Sequence, residues 1–414
     1  MKALQFVLLL AFCTPVFGQN LSKEASLFIK KHTSVLSRDK NFQLTDWKNV
    51  LKDVRKSRLV LIGEANHGSR EMFEVRNSLI RSLHKKLDFD VILFESGIGE
   101  LILPNCQKAT KTAAELTRGL FGIWQTSAFE ELMAFVKEEE IEIAGFDVQR
   151  SGGSFQYLLQ ECAGQALIPS ARYTNIENRF SSLSKSLSQR KPYEELKDET
   201  ESLIRDYHKL AAELKRKSPY KKTKKYKLTQ RVLQNRIGYL SYYLDFVKDK
   251  DWNKRWAARD SIMASNVAWL AEEIYPKKKI IIIGHNYHIA KYNEKELVMG
   301  ELLKETYGDT MSSIGVFARS GRYAGNYREE KKIEAPEDSK LNLKHAMAEI
   351  DAFATYLKIP KKPGKGNEWL FHKIEVEDTF INLSGDKYMN LSLHFDGLIF
   401  LDEVSLPNFI SQLE

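Results

Sequence analysis

Short apolar segments without alternating polar positions recur along this chain. They lie at residues 59–62, 90–94 and 141–146, and in the four isoleucines that begin at Ile280. Such runs are typical of strands that are buried on both faces, as in a parallel sheet. Helical spacing of apolar residues precedes the first of these runs, near 47–55, and separates the first three, near 70–87 and 112–138. The alternation predicts an α/β fold with a mostly parallel central sheet flanked by helices.

A long charged segment interrupts this pattern. Between about residues 155 and 273 the sequence is typical of long helices. The sheet pattern then resumes at Ile280, a helix follows near 294–307, and F-D-G-L-I-F-L-D-E-V predicts a late strand. We therefore predict one α/β domain over residues 19–414, with a helical insertion at about 155–273.

The first 18 residues have the features of a secretory signal peptide. Lys2 gives a short basic start, an apolar stretch follows, and small residues precede an expected cleavage after Gly18. This predicts a secreted or periplasmic protein. No later stretch reaches the ~18–20 apolar residues that span a bilayer, so we expect no stable membrane insertion.

Charge and cysteine content add two expectations. The net charge is +8, and the densest basic run extends from Lys215 to Lys227. A run of that kind is usually a solvated loop, so we expect no nucleic-acid partner. After removal of the leader, Cys106 and Cys162 permit one disulfide and are equally compatible with two thiols. The sequence does not predict the oligomeric state.

Polar residues follow four of the predicted strands at the point where each strand ends. Because ligands of parallel sheets bind outside the carboxyl ends of the strands, we expect these side chains to meet at one rim. They are Glu64, His67, Glu95, Asp147, His285 and His288.

Arg76 lies in the middle of an apolar stripe on the helix predicted over residues 70–87. A guanidinium that faces the core needs a partner, because an unpaired buried charge costs several kcal/mol. Glu64 and Glu95 follow the strands on either side of this helix. An ion pair between Arg76 and one of these glutamates is either part of a functional site or a structural buried ion pair.

The loop between Gly63 and Ser69 carries a carboxylate and an imidazole three residues apart. The two glycines, Gly63 and Gly68, allow sharp turns, and Ser69 is expected to cap the following helix. Glu64 is expected to hold one tautomer of His67 and raise its basicity, as a general base for water requires.

Two histidines follow the four isoleucines. His285 and His288 would donate hydrogen bonds to an oxyanion or bind a metal, and the alternative is a structural role in the core. Asp147 is either a site residue or a helix cap. Trp124 either lines a substrate pocket or belongs to an amphipathic helix.

Several catalytic signatures are absent from the sequence. It contains no G-x-S-x-G, no G-x-x-x-x-G-K-[ST], no G-x-G-x-x-G after a strand and no H-E-x-x-H. Serine hydrolases with a nucleophile elbow, P-loop enzymes and zincins are therefore disfavoured.

Four of these segments together resemble the erythromycin esterase family. They are G-E-A-N-H-G with Arg76 nine residues after His67, Glu95 at the next strand end, R-D-S-I-M-A-S-N before a strand, and H-N-Y-H after it. The resemblance extends from about residue 40 to the F-D-G-L-I-F segment.

The resemblance implies a hydrolase that opens a macrolide lactone by direct attack of water, without an acyl-enzyme and without a cofactor. It implies that His67 is the general base and Glu64 its orienting partner. The remaining matched positions would position water and stabilise the tetrahedral intermediate; they are Arg76, Glu95, His285 and His288. The expected partner is a small-molecule ester or lactone.

Two other functions remain open at this point. A metal-dependent hydrolase or peptidase would use the same rim, with His67, His285 and His288 as ligands. A binding protein of the cell envelope would hold an anionic ligand without turnover.

Overall fold

The computed structural model describes residues 21–37, 46–152, 170–218, 221–334, 342–376 and 388–410. Most described strands belong to one large sheet, and two form a separate short ladder. The strands are β1 (Thr33–Val35), β2 (Leu59–Ile62), β3 (Phe89–Gly97), β4 (Glu142–Asp147), β5 (Lys279–Ile283), β6 (Met311–Ala324), β7 (Glu330–Ile333), β8 (Ala354–Lys358), β9 (Lys373–Glu375), β10 (Tyr388–Asn390) and β11 (Gly397–Val404).

The large sheet is mostly parallel, as predicted. Its order is β1-β8-β11-β6-β2-β5-β3-β4, with β7 paired to β6. All neighbours from β11 to β4 are parallel, whereas β8, β1 and β7 add antiparallel pairs. Every residue of β2 is buried, because helices cover both faces of the sheet.

The described α-helices flank this sheet; the helices predicted near 47–55 and 70–87 have close to their predicted bounds, whereas the stretch predicted at 112–138 forms two α-helices and the one at 294–307 begins at Met299. They are α1 (Lys23–His32), α2 (Lys48–Val54), α3 (Arg70–Leu87), α4 (Ile102–Gln107), α5 (Ala113–Thr117), α6 (Ser127–Glu138), α7 (Ser170–Ser188), α8 (Tyr193–Lys217), α9 (Lys224–Asp249), α10 (Trp252–Trp269), α11 (Asn286–Ile289), α12 (Met299–Tyr307), α13 (Leu343–Met347) and α14 (Leu391–His394).

The position of β5 is the feature of the fold that builds the site. β5 pairs in parallel with β2 on one side and with β3 on the other. The residues that follow β5 therefore lie between the loop after β2 and the end of β3. This order brings His285 next to Glu95 and to the loop that carries His67.

Helices α7 to α10 lie between β4 and β5 in the sequence, within the segment predicted to be a helical insertion. Amide side chains tie them to the end of β4. Asn266 of α10 donates to the carbonyl of Phe146 at 2.9 Å, and Asn235 of α9 donates to the carbonyl of Val148 at 3.2 Å. These contacts place α10 beside the carboxyl end of the sheet.

A buried ion cluster joins the helical segment to the chain after β3. Arg236 donates to Glu100 at 2.7 Å and lies 3.4 Å from Glu177, and all three side chains are at least nine-tenths buried. Tyr207 also donates to Glu177, at 2.6 Å. Burial raises the pKa of Glu100, and Arg236 opposes that rise.

Replacing Arg236 by alanine is expected to lower the free energy of unfolding by about 3–5 kcal/mol, because two buried carboxylates lose their cation. Urea denaturation measures the change. The matched control is Arg205→Ala, since Arg205 is 62% exposed and pairs with Glu201 at 3.8 Å. We expect the control to change stability by about 0.5 kcal/mol or less.

The described residues limit what can be said of three expectations: the leader, the disulfide and membrane insertion. Residues 1–18 and Cys162 lie outside them, so the leader and the pairing of Cys106 stay predictions. In the part of the chain that the structure describes, no helix has the length and apolar character needed to cross a membrane.

Candidate active site

The loop after β2 carries Glu64 and His67 and approaches two other segments very closely. A Cβ on Gly63 would lie 1.9 Å from Oδ1 of Asn286, and one on Gly68 would lie 2.0 Å from a carbonyl oxygen of β6. Neither glycine has a positive φ. Gly68 lies in a turn, as predicted, but the close contacts and not the dihedral angles are what require glycine at these two positions.

Ser69 precedes α3 but does not cap it with its side chain. Its hydroxyl donates instead to Oδ1 of Asn66 at 2.7 Å, and the same oxygen accepts from the backbone N–H of Gly68 at 3.2 Å. The predicted capping bond is therefore wrong. The Ser69 hydroxyl instead links the two ends of the loop, because it donates to Asn66 three residues earlier.

His67 forms a hydrogen-bonded pair with Glu64, as predicted. Nδ1 of His67 lies 2.7 Å from Oε1 of Glu64, and the carboxylate is an acceptor, so Nδ1 carries the proton. Nε2 is then the basic nitrogen, and within the described residues it has no hydrogen-bond partner. The His67 side chain is 25% exposed, whereas that of Glu64 is fully buried.

Two further donors fix the Glu64 carboxylate. Arg76 Nη1 donates to Oε2 at 2.5 Å, and Trp124 Nε1 donates to Oε1 at 3.0 Å. The predicted pairing of Arg76 with a strand-end glutamate is thus confirmed. With His67, three donors surround one carboxylate, which therefore has little freedom to rotate.

The Arg76 guanidinium has no exposed surface. Its central carbon lies 5.2–5.7 Å from the ring centroids of Phe73, Trp124 and Phe129. Burial lowers the pKa of Arg76, and the charge of Glu64 offsets this. Arg76 is consequently placed to bind the Glu64 carboxylate from the interior of the protein.

Glu95 is the second carboxylate of the site. The strand β3 continues to Gly97, three residues beyond the predicted end, with an irregular register after Phe94. Glu95 Oε2 accepts from the backbone N–H of His285 at 2.8 Å, and Oε1 accepts from Arg259 at 3.0 Å. Burial opposes its ionisation, but His288 and Arg259 hold the pKa of Glu95 well below its usual value.

His285 is buried beside His67, with 5.1 Å between the ring centroids. Its Nε2 donates to the carbonyl of Ala65 at 2.9 Å, and its Nδ1 accepts from the backbone N–H of Tyr287 at 3.1 Å. Burial, reinforced by the nearby His67, lowers the pKa of His285 to about 3. The ring is therefore neutral, and both of its nitrogens already have partners.

His288 contacts carboxylates on two sides. Nδ1 donates to Asp260 at 2.8 Å, and Nε2 lies 3.3 Å from Glu95 Oε1 and 2.9 Å from Arg259 Nη1. A neutral ring accepts from Arg259, and a protonated ring donates to Glu95. Burial opposes protonation, but Asp260 and Glu95 raise the pKa of His288 to about 9.

The three histidines are not arranged as a set of metal ligands in the part of the chain that the structure describes. His285 and His288 use both ring nitrogens in the contacts above, and only Nε2 of His67 remains for a ligand. Across the described ranges, no group of three or more His, Cys, Asp or Glu side chains is arranged to hold a metal ion. The predicted ligand set of His67, His285 and His288 is not supported.

Asp147 binds a residue of the helical segment that the sequence did not nominate. It accepts from Arg259 at 3.2 Å on Oδ1 and 2.6 Å on Oδ2, and Oδ1 also accepts from the backbone N–H of Gln149. Arg259 thus bridges Asp147, Glu95 and His288. Asp147 belongs to the site by contact.

Asp260 is the other site residue that sequence reasoning missed. It binds His288 and also accepts from the backbone N–H of Met299 at 2.8 Å. Arg259 and Asp260 open the R-D-S-I-M-A-S-N segment that the sequence singled out, but the apolar residues of their helix α10 are not confined to one face. Helical phasing therefore gave no reason to place both in the site.

A comparison with known protein families identifies the family of this chain. The model of the Erythromycin esterase family matches residues 84–404, which include Glu95, Arg259, His285 and His288. This match covers more than half of the chain. The chain belongs to the erythromycin esterase family.

Two curated relatives are similar over most of the chain. Putative hydrolase YbfO of Bacillus subtilis (strain 168) is 28% identical over 419 residues, which cover 91% of this chain and 90% of the relative. Erythromycin esterase type II of Escherichia coli is 26% identical over 312 residues, which cover 69% of this chain and 74% of the relative. Membership of the family makes this protein a hydrolase.

Solved structures of similar fold include a succinoglycan biosynthesis protein, with a TM-score of 0.74 and 17% identity over 95% of this chain and all of that one. A mutant of the erythromycin esterase EreC in its open conformation has a TM-score of 0.63 and 18% identity, over 89% of this chain and 97% of that one. Both structures share the fold of this chain, and the second shows that this is the fold of an erythromycin esterase.

The structure brings all six predicted catalytic residues of this family member into one connected set. The two predicted substrate-binding residues, Asp147 and Trp124, adjoin it but are almost fully buried. Asp147 accepts hydrogen bonds from the side chain of Arg259, and Trp124 donates one to Glu64. Substrate binding by either residue, and every catalytic role, stays a prediction.

The raised pKa of His288 has a consequence for stability. A protonated His288 stabilises the fold fully below the unfolded pKa of about 6.5, and this contribution is lost as the pH rises through about 9. We expect the free energy of unfolding to fall by up to about 3 kcal/mol between pH 6.5 and 9.5. Urea denaturation at both values tests this. In His288→Gln the decrease should be clearly smaller, and an equal decrease would contradict the assignment.

Proposed function

We propose that this hydrolase cleaves a carboxylic ester or lactone with a water molecule that His67 activates. The observation that carries the proposal is the 2.7 Å bond from His67 Nδ1 to Glu64, which leaves Nε2 as the base on a side chain that is 25% exposed. Arg76 and Trp124 each donate a hydrogen bond to the Glu64 carboxylate and so fix its orientation. The pair therefore keeps one tautomer during the reaction.

The reaction then runs without an acyl-enzyme. Nε2 of His67 takes a proton from water, and the water oxygen bonds to the carbonyl carbon. When the tetrahedral intermediate collapses, the bond to the alcohol oxygen breaks and His67 returns the proton to the leaving alkoxide. Protonated His288 and the ionised Glu95 hold the opposite side of the site in a fixed arrangement.

The substrate class is tested by incubating the purified protein with panels of aryl esters, alkyl esters, small lactones and macrolides that include erythromycin. The proposal predicts that acid and alcohol, or the hydroxy acid from a lactone, accumulate catalytically. Binding without product across the panels would instead support an envelope binding protein and contradict the proposal.

Metal dependence is tested on the same substrates. Because only one of the three site imidazoles has an available nitrogen, we expect kcat to stay within about twofold after treatment with a chelator. Elemental analysis of protein purified without chelator provides the control. Loss of activity that zinc or iron restores would overturn the metal-free mechanism.

We also propose that the protein is exported, on the basis of the sequence of residues 1–18. N-terminal sequencing of the protein from its native cells tests this. Export predicts a mature chain that starts at Gln19, and an intact Met1 would contradict it.

A further inference from the structure

Direct attack of water on an ester creates a negative charge on the carbonyl oxygen, and the site contains two arginines that differ in access to it. Arg76 is fully buried under aromatic rings and donates to Glu64. Arg259 retains 8% exposure and contacts Glu95 and His288, which retain 5% each. A donor must come within about 3 Å of the oxyanion to stabilise it. Arg259 meets this condition more readily than Arg76.

The hydrogen bonds of Arg259 leave a donor available. A guanidinium has five N–H groups. Nε donates to Asp147, and Nη2 donates to Asp147 and Glu95. Nη1 has one contact within the described residues, with Nε2 of His288. At least one N–H on Nη1 is therefore left over, whichever protonation state His288 adopts.

His285, the other candidate donor beside His67, already uses both ring nitrogens in hydrogen bonds. His285 donates its Nε2 proton to the carbonyl of Ala65 and accepts at Nδ1. Its position matters in another way, because its backbone N–H binds Glu95, which in turn accepts from Arg259 at 3.0 Å. A chain of contacts thus connects the ring next to His67 with the Arg259 guanidinium.

We propose that Arg259 is a catalytic residue whose Nη1 N–H donates to the carbonyl oxygen of the ester as that oxygen becomes negatively charged. The proposal rests on the proposed ester hydrolysis. As the water oxygen bonds to the carbonyl carbon, the electron pair of the C=O bond moves to the carbonyl oxygen, which faces Arg259. When the pair returns, the bond to the alcohol oxygen breaks. Asp147 and Glu95 hold the guanidinium in place, so it need not reorganise during the reaction.

The first test is Arg259→Lys, which keeps the charge but not the fork of donors. We expect kcat to fall by about 10²–10³-fold, with KM changed by less than about threefold, because the contact strengthens only in the transition state. The matched control is Arg255→Lys, one turn earlier on α10. Arg255 is similarly buried but contacts Tyr243 and aromatic rings. The control should keep kcat within about twofold.

The outcomes separate this inference from the proposed function. If the wild type cleaves no ester or lactone, the proposed function fails. If the wild type is active and folded Arg259→Lys keeps its kcat, the Arg259 assignment fails and the contact is structural.

A second measurement covers the case in which Arg259→Lys does not fold. It uses the wild-type protein crystallised with a phosphonate analogue of the ester it cleaves. The proposal predicts a phosphonate oxygen within about 3.2 Å of Arg259 Nη1. The oxygen bound to another donor, with Arg259 out of reach, would overturn it.

Discussion

Replacing His67 by alanine is expected to lower kcat for ester hydrolysis by about 10²–10⁴-fold, the usual contribution of a general base. The fold should persist, because the side chain is partly exposed and Glu64 keeps Arg76 and Trp124 as donors. We expect a loss of stability of no more than about 2 kcal/mol. Initial rates and urea denaturation measure the two effects.

The control for this variant is His208→Ala, since His208 is an exposed residue of α8. It should leave both kcat and stability unchanged. Full activity in folded His67→Ala would mean that another group activates water.

Replacing Glu64 by glutamine is expected to affect both activity and stability. The carboxylate accepts from His67, Arg76 and Trp124, and an amide has only one oxygen to offer these donors. Arg76 would lose its counter-charge in a fully buried position, which costs about 3–5 kcal/mol. His67 would lose the bond that sets its tautomer, which is expected to lower kcat by about 10²–10⁴-fold.

A double variant separates these two effects. In Glu64→Gln with Arg76→Met, the unpaired buried cation is removed, so most of the lost stability should return. The kcat should stay low, because His67 still lacks its carboxylate. Recovery of activity together with stability would show that Glu64 acts only through the fold.

The sequence predicts the local parts of this site well. The bounds of β2 and α3 agree with the structure because a continuous apolar run and a clear helical stripe each depend on neighbouring residues alone. The same stripe placed Arg76 inside the protein. Its need for a counter-charge then identified Glu64 as one of two possible partners.

The sequence predicts the long-range parts less well. Nothing in the pattern of a single strand specifies that β5 lies between β2 and β3, and this order brings His285 to Glu95. Arg259 lies 164 residues from Glu95 in sequence, on a helix without a single apolar stripe. Its contacts with Glu95 and Asp147 depend on the packing of α10 against β4, which only the tertiary structure shows.

The central claim is that water activated by His67 attacks the ester directly. The most direct measurement is a single turnover in water enriched in ¹⁸O with enzyme in excess, quenched and examined by mass spectrometry of protein and product. We predict that the product acid gains one ¹⁸O while the protein carries neither an acyl group nor ¹⁸O. An acylated protein, or ¹⁸O in Glu64 or Glu95, would contradict the account.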